Sequence, residues 1–346
     1  MKILFTGKSD FQYNRVKVLT EGLKKLDNVE LLFYPIINRK KFNKEKFLEL
    51  EKKVDFIYIP PFRHRDVSFI RKIASKPLVF DPLISKYLTK DDYGHFWKLP
   101  FKYLLDKIPF SKADILLSDT EQHKIYFSRK FNIPEEKIAA LHIGVDTSKF
   151  NISEYKKDSS QPFVVGFYGS FVPLQGTDKI IETANILKDR KDVEFQIIGD
   201  GYDFKKAESL AKKWGLTNIR FLGSVEYNAL SVLINQFDIC LGIFGDSKKA
   251  DYVIPNKIYH YASIGKCIIT KSSEGISELF TDNENIVLST IEPSNIAEKI
   301  LALKSDDNKR KKIGENSFRL ITEKYNEVEI AKKFVSILKE YQKSHS

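Results

Sequence analysis

Residues 242–270, GIFGDSKKADYVIPNKIYHYASIGKCIIT, decide how the chain is read. The apolar run at 238–243 has the length of a buried strand. A glycine-bearing loop follows, then Pro255-Asn256, a short helical pattern that stops at Gly265, and a second apolar run. A helix that starts behind such a loop at a strand end aims backbone N–H groups above the sheet, a place for an anion and most often a phosphate. Lys257 sits at the start of this helix, and His260, three residues on, shares its face. Lys257 reads as the cation that meets the anion, or as a solvated helix lysine. His260 reads equally as a ligand to a hydroxyl or as a packed histidine.

Working outward, the same alternation fills the chain. In residues 1–150 short apolar runs at 3–6, 30–34, 55–59, 77–80, 114–117 and 139–142 predict strands. Helix-period segments lie between them, at 13–26, 42–51, 67–74, 97–107 and 121–130. Residues 151–162 (NISEYKKDSSQP) are polar and read as a linker. The alternation then restarts, with strands at 163–167, 193–198 and 219–221 and helices at 178–187, 204–214 and 229–236. Strands alternating with helices mean βαβ units and parallel sheets, which bind ligands beyond the carboxyl ends of their strands. The prediction is an α/β protein of two Rossmann-like domains facing across a cleft, spanning 1–150 and 151–325. A last amphipathic helix at 326–342 carries Ile330, Phe334 and Ile337 on one stripe.

Glycines mark further turns. Gly166-Phe167-Tyr168-Gly169-Ser170-Phe171-Val172-Pro173-Leu174-Gln175-Gly176 places them at a strand end and before a helix, and Ile198-Gly199-Asp200-Gly201 ends the next strand. They allow a ligand to approach the backbone, or they serve the turn alone. The order of pieces is more specific. G-S-F-x-P-L-Q-G, I-I-G-D-G, F-L-G-S-V and I-P-N-K with a later G-K resemble the retaining GT-B glycosyltransferases of family 4, in a branch with PLQG and IPNK. The likeness runs from about 163 to 339, and more loosely through HIGVDTSKF, which contains Asp146, and SDTEQHKIYF.

The resemblance implies a nucleotide-sugar donor, with a UDP-linked one expected, held by the second domain. The first domain would take the acceptor, and the last helix would cross back onto it. It implies transfer of a hexose to an acceptor hydroxyl with retention, in surface polysaccharide or glycolipid assembly, with no cofactor and no metal. The alternative is a nucleotide-sugar-binding protein without transferase activity. The family's E-x7-E glutamates fall on Tyr252 and His260 here, its diphosphate-binding Arg and Lys on Ser170 and Gln175, and a common His near Phe80. Lys257 then becomes the substitute cation. The donor-binding set is Gly169, Ser170, Gly199, Gly201, Tyr227, Gly245, Asn256 and His260, with Tyr227 placed to stack on the base or to pack as an ordinary tyrosine. Asp81, in VFDPLIS, reads as a catalytic carboxylate beside the acceptor hydroxyl and sugar, or as a turn cap. Gly7 ends the first strand, and Asp119 with His123 forms either an acceptor contact or a local pair. Gly7-Lys8-Ser9 imitates the tail of a P-loop, but the glycine needed five residues earlier is Lys2.

The totals bound the remaining classes. Net charge is +11, of which +10 falls in residues 1–150 and +1 in the rest. A basic half suits an anionic partner, though a lysine-rich surface explains it as well. No nucleic-acid motif accompanies it, so no nucleic-acid partner is expected. Cys240 and Cys267 are the only cysteines, far apart and within apolar runs, and read as reduced core thiols. The segment at 95–110 (HFWKLPFKYLLDKIPF) mixes aromatics with lysines. It suits an anionic membrane surface, or a packed helix pair. The expected location is cytoplasmic, with peripheral placement on the inner face of the membrane.

Overall fold

A computed structural model describes residues 1–8, 13–153, 155, 158 and 160–345. Ser9 of the P-loop imitation and residues 154, 156, 157 and 159 of the polar stretch lie outside the described residues. The chain forms two compact units, Met1–Asp146 with Tyr325–Ser346, and Thr147–Lys324.

The first unit holds a six-stranded parallel sheet of β1 (Lys2–Gly7), β2 (Glu30–Pro35), β3 (Phe56–Ile59), β4 (Leu78–Phe80), β5 (Ile115–Ser118) and β6 (Ile138–Ala140). Its order is β2-β1-β3-β4-β5-β6. β3, β4 and β5 are buried along their whole length, the pattern of parallel strands covered on both faces. One apolar cluster gathers Ile3, Phe5, Tyr58 and Leu117, and another gathers Leu4, Ile57, Phe80 and Leu116, so alternate residues face opposite layers.

The last helix, Glu327–Ser344, belongs to this unit. Asn326 caps it, its side chain accepting from the N–H groups of Val328 and Glu329. Ile330, Phe334 and Ile337 enter the cluster with Phe5 and Tyr58. The helix crosses so near helix Asn14–Lys24 that a Cβ on Gly22 would lie 1.8 Å from the carbonyl oxygen of Glu327. Only glycine allows that approach.

The second unit holds β7 (Phe163–Tyr168), β8 (Val193–Ile198), β9 (Ile219–Gly223), β10 (Ile239–Leu241), β11 (Cys267–Lys271) and β12 (Val287–Ser289). They are parallel, in the order β12-β11-β10-β7-β8-β9. The order reverses between β7 and β10, and a doubly wound sheet places ligands beyond the carboxyl ends at such a point. Both cysteines are free and buried, on β10 and β11.

The structure departs from the sequence reading in several elements. A helix at Lys86–Asp92 and two long ones at Pro293–Ser305 and Asp307–Lys324 were not anticipated. The helix read as 97–107 runs from Leu99 to Lys112, behind a 3-10 turn at Phe96–Lys98. It continues through Pro109, although proline forfeits one helical hydrogen bond. Pro109 and Phe110 are buried, and that burial offsets the loss.

Candidate functional site

Helix Asn256–Ser263 carries the central side chain. No side chain caps its start at Pro255, and residues 257–263 are all buried. The hydroxyl of Tyr261 accepts from the backbone N–H of Tyr168 at 2.8 Å, which ties the helix to the end of β7. Lys257 thereby points back across the sheet. Its Nζ donates to Gln175 Oε1 at 2.6 Å and to the Gly242 carbonyl at 3.4 Å. It lies 3.6 Å from the centroid of the Phe167 ring, close enough for a cation–π contact. A Cβ on Gly169 would stand 2.8 Å from this nitrogen. Gly169 follows β7 and Gly242 follows β10, so the amine sits where the strand order reverses. It is 3% exposed, and burial pushes it well below the ordinary lysine range.

The P-L-Q-G turn reaches this place through the backbone. Pro173–Gln175 is a 3-10 turn closed by Gly176 in the left-handed region, φ +62°. Phe244 N–H donates to the Gln175 carbonyl at 3.0 Å, and Gly245 N–H to the Leu174 carbonyl at 3.2 Å. A Cβ on Gly245 would strike that Leu174 oxygen at 2.4 Å. The loop after β10 and the turn after β7 are therefore stitched together, and the stitch holds Gln175 over Lys257. The Gly245 carbonyl also accepts from Lys271 Nζ at 2.9 Å.

His260 lies within an aromatic column. Its ring stacks on Phe150 at 3.6 Å and lies nearly parallel to Tyr168 at 5.9 Å. Tyr227 meets Phe150 edge-on at 5.4 Å. The Tyr168 hydroxyl pairs with His260 Nδ1 at 2.5 Å. Burial lowers the imidazole to about 3, so it is neutral near pH 7. A neutral ring that accepts from Tyr168 carries its proton on Nε2, which has no partner among the described residues.

The other second-unit candidates surround these groups. A Cβ on Gly199 would stand 1.9 Å from the Gly169 carbonyl oxygen, so the tips of β7 and β8 touch. Ser170 and Gly201 are exposed beside them, and Asn256 precedes Lys257, half-buried. Tyr252, at one family glutamate position, is half-buried in helix Lys248–Tyr252. Phe150, Phe167 and Tyr168, the neighbours of His260 and Lys257, were not singled out, because nothing in their spacing sets them apart from core aromatics.

In the first unit the candidates separate into two places. Gly7 ends β1 at the reversal between β1 and β3, with Pro60, Arg63 and Asp66 around it. Asp66 accepts from Lys8 N–H at 2.8 Å and pairs with Arg39. Asp81, Asp119 and His123 are instead buried in one polar network. Asp81 Oδ2 accepts from Arg15 Nε at 2.6 Å and from the Tyr58 hydroxyl at 2.9 Å. Arg15 also donates to the Leu141 carbonyl at 2.8 Å. Burial, the largest single influence, pulls the guanidinium down, but Asp81, Tyr58 and Asp119 together outweigh it and the net direction is upward. Asp119 pairs with His123 Nδ1. Burial pushes its carboxyl up, and the His123 and Arg15 charges bring it below the usual range.

Beside the two readings of Asp81, catalytic carboxylate or turn cap, the structure gives it a role as the buried partner of Arg15. It is 0% exposed, with Oδ2 held by Arg15 and Tyr58 and Oδ1 without a hydrogen-bond partner among the described residues. Desolvation makes an unpaired buried charge costly, so the pair forms. Asp119 and His123 form the local pair that the sequence left as one of two readings. Arg15, on the inner face of helix Asn14–Lys24, was missed, since one arginine in an amphipathic pattern gives no sign of burial.

Two parallel six-stranded Rossmann-like sheets define the GT-B class of glycosyltransferase folds. The structure of Anabaena HepE, solved with UDP and glucose, matches 98% of this chain and 100% of its own, with TM-score 0.76 and 16% identity. Sucrose-phosphate synthase from Thermosynechococcus elongatus matches with TM-score 0.78 and 10% identity, over 99% and 100% of the two chains. In sequence, the model of glycosyl transferases group 1 matches residues 148–320, half of the 346-residue chain. The chain belongs to that family. An uncharacterized glycosyltransferase of Methanocaldococcus jannaschii, MJ1069, is 25% identical over 249 residues. That match covers 69% of this chain and 62% of MJ1069, so the chain spans about three-fifths of that relative's length.

Proposed function

We propose that the protein transfers a hexose from a UDP-linked sugar to an acceptor hydroxyl with retention, in surface polysaccharide or glycolipid assembly. The observation that carries the reading is the buried Lys257 amine at the reversal of the second sheet, between Gly169 and Gln175. The donor diphosphate would lie over Gly169, Ser170, Gly199, Gly201, Gly245 and the Asn256–Lys257 helix start. An arriving dianion would favour the protonated form of Lys257, which burial disfavours. As the bond from C1 to the diphosphate breaks, the leaving oxygen gains charge, and an ammonium fixed beside it stabilises that charge. The acceptor oxygen would bond C1 on the same face and pass its proton to the departing phosphate. His260 Nε2–H would donate to a ribose hydroxyl, and Tyr227 would stack on the base.

The first unit would take the acceptor near Gly7, with Asp119 and His123 holding the floor beneath and Asp81 acting through its Arg15 pair. The UDP and glucose bound to HepE support the choice of donor. Lys257→Ala should lower turnover at least tenfold with the fold intact, and unchanged turnover would remove Lys257 from the mechanism. A second reading, a nucleotide-sugar-binding protein without transfer, is favoured by Tyr252 and His260 at the family's glutamate positions. Calorimetric titration and a transfer assay on one sample separate the two, since binding without transfer across a donor panel supports the second. We further place the protein in the cytoplasm, at the inner face of the membrane.

A further inference from the structure

The segment of Phe96–Lys98 and helix Leu99–Lys112 has two unlike faces. Its inner face is fixed by Asp106, which is fully buried. Asp106 accepts from Ser85 Oγ at 2.7 Å, Lys86 N–H at 3.0 Å and Tyr87 N–H at 2.8 Å. The outer face carries Trp97, Phe101, Leu104 and Ile108, which are 72%, 56%, 52% and 45% exposed, with Phe96 beside them at 65%. Their spacing of four, three and four residues sets them in one stripe. Lysines border it. Lys98 Nζ lies 5.6 Å from the Trp97 ring, and Lys102 Nζ 5.6 Å from the Phe101 ring. Burial lowers the nearby Lys86 amine first, Asp106 works against this, and the charges of Lys102, Arg65 and Arg63 lower it further.

We propose that this stripe docks on an anionic lipid bilayer, with the helix lying in the headgroup plane. Trp97, Phe101, Leu104 and Ile108 enter the acyl boundary, while Lys98 and Lys102 extend along it to the lipid phosphates. Charge selects this occupant. Lysine is depleted at protein interfaces, where its ammonium must be desolvated. A second copy packed face to face would bring the same lysines together. A bilayer buries the rings and leaves each ammonium at a phosphate. No helix among the described residues is long and apolar enough to cross a membrane, so attachment through this unit is peripheral. The inference deepens the membrane side of the function proposed above. It fails separately from it, because vesicle binding needs neither donor nor acceptor.

The test uses the full chain with vesicles of phosphatidylcholine alone or mixed with phosphatidylglycerol. The chain has two tryptophans, so Trp214→Phe leaves Trp97 as the reporter. Its emission should shift to the blue with anionic vesicles only, and added salt should reverse the shift. In a flotation assay, Phe101→Ser/Leu104→Ser/Ile108→Ser should weaken binding at least tenfold. Lys98→Gln/Lys102→Gln should weaken it about 25-fold, at roughly fivefold per lysine near an anionic surface. Both variants should keep wild-type circular dichroism and nucleotide-sugar binding. Three results overturn the proposal: wild-type protein that ignores anionic vesicles at low salt, a triple variant that binds like wild type, or a wild-type dimer that the triple variant dissociates without any vesicle binding.

Discussion

Exchanging Lys257 and Gln175 together for methionine should make the protein more stable and less able to bind its donor. Lys257 is 3% exposed, and its burial disfavours the charged form. Lys257 and Gln175 are a buried amine–amide pair, and by analogy with buried ion pairs, whose replacement by apolar side chains of similar volume is neutral to stabilising by up to about 4 kcal/mol, the exchange should not destabilise. Changing Lys257 alone would orphan Gln175 Oε1, at about 1–3 kcal/mol, which is why both are changed. A middle value of about 2 kcal/mol raises Tm by about 4–8 °C for a unit of this size. The sign with pH follows from the direction of the shift. Between the native pKa and 10.5, the unfolded chain binds more protons than the native one, so wild-type stability climbs with pH across that window. The variant's advantage is therefore largest at the low end of that window and fades toward pH 10.5. Donor binding, which loses one charge-assisted hydrogen bond of about 1.5–3 kcal/mol, should weaken about 10- to 150-fold. Calorimetry of melting and of donor binding reads both quantities. A variant that melts lower than wild type, or binds donor equally well, refutes the reasoning.

Gly199→Ala forces a Cβ to within 1.9 Å of the Gly169 carbonyl at φ +131°. It should cost about 1–3 kcal/mol or more and weaken donor affinity, as thermal melts and titration would report. His260 sits near 3 when folded and 6.5 as a free side chain. Its contribution to stability is present above pH 6.5 and is lost as pH falls toward 3, so His260→Phe should flatten that part of the denaturation profile. Phe334 is fully buried, 5.8 Å edge-on from Tyr58. Phe334→Ala should destabilise the first unit by about 3–5 kcal/mol in chemical denaturation.

The sheets were legible because parallel strands covered on both faces are largely apolar, and runs such as 77–80 (PLVF) and 163–167 (FVVGF) could hardly be anything else. Helix Asp307–Lys324 was not, because its buried positions are Ile313, Gly314, Ser317 and Ile321. Glycine and serine fill half of that face, so the apolar period nearly disappears. Helix Lys86–Asp92 buries Leu88 alone and gives no period at all. At the candidate site the sequence singled out Lys257 but could not show its burial. Its partner Gln175 is 82 residues away, brought close by backbone bonds between two loops. Composition says nothing about such bonds. Arg15 and Asp81, 66 residues apart, met for the same reason.

The crossing of Gly22 beneath Glu327 has a consequence for how the chain comes off the ribosome. The N-terminal unit is translated first but cannot close until residues 325–345 emerge. At ordinary elongation rates the intervening segment takes on the order of ten to forty seconds. Throughout that interval the half-made layer around Leu19, Leu23 and Phe5 stands bare, while the later-translated unit is already able to finish. Nascent chains stalled just short of Tyr325 should therefore be the ones that chaperones of the holdase type grip most firmly.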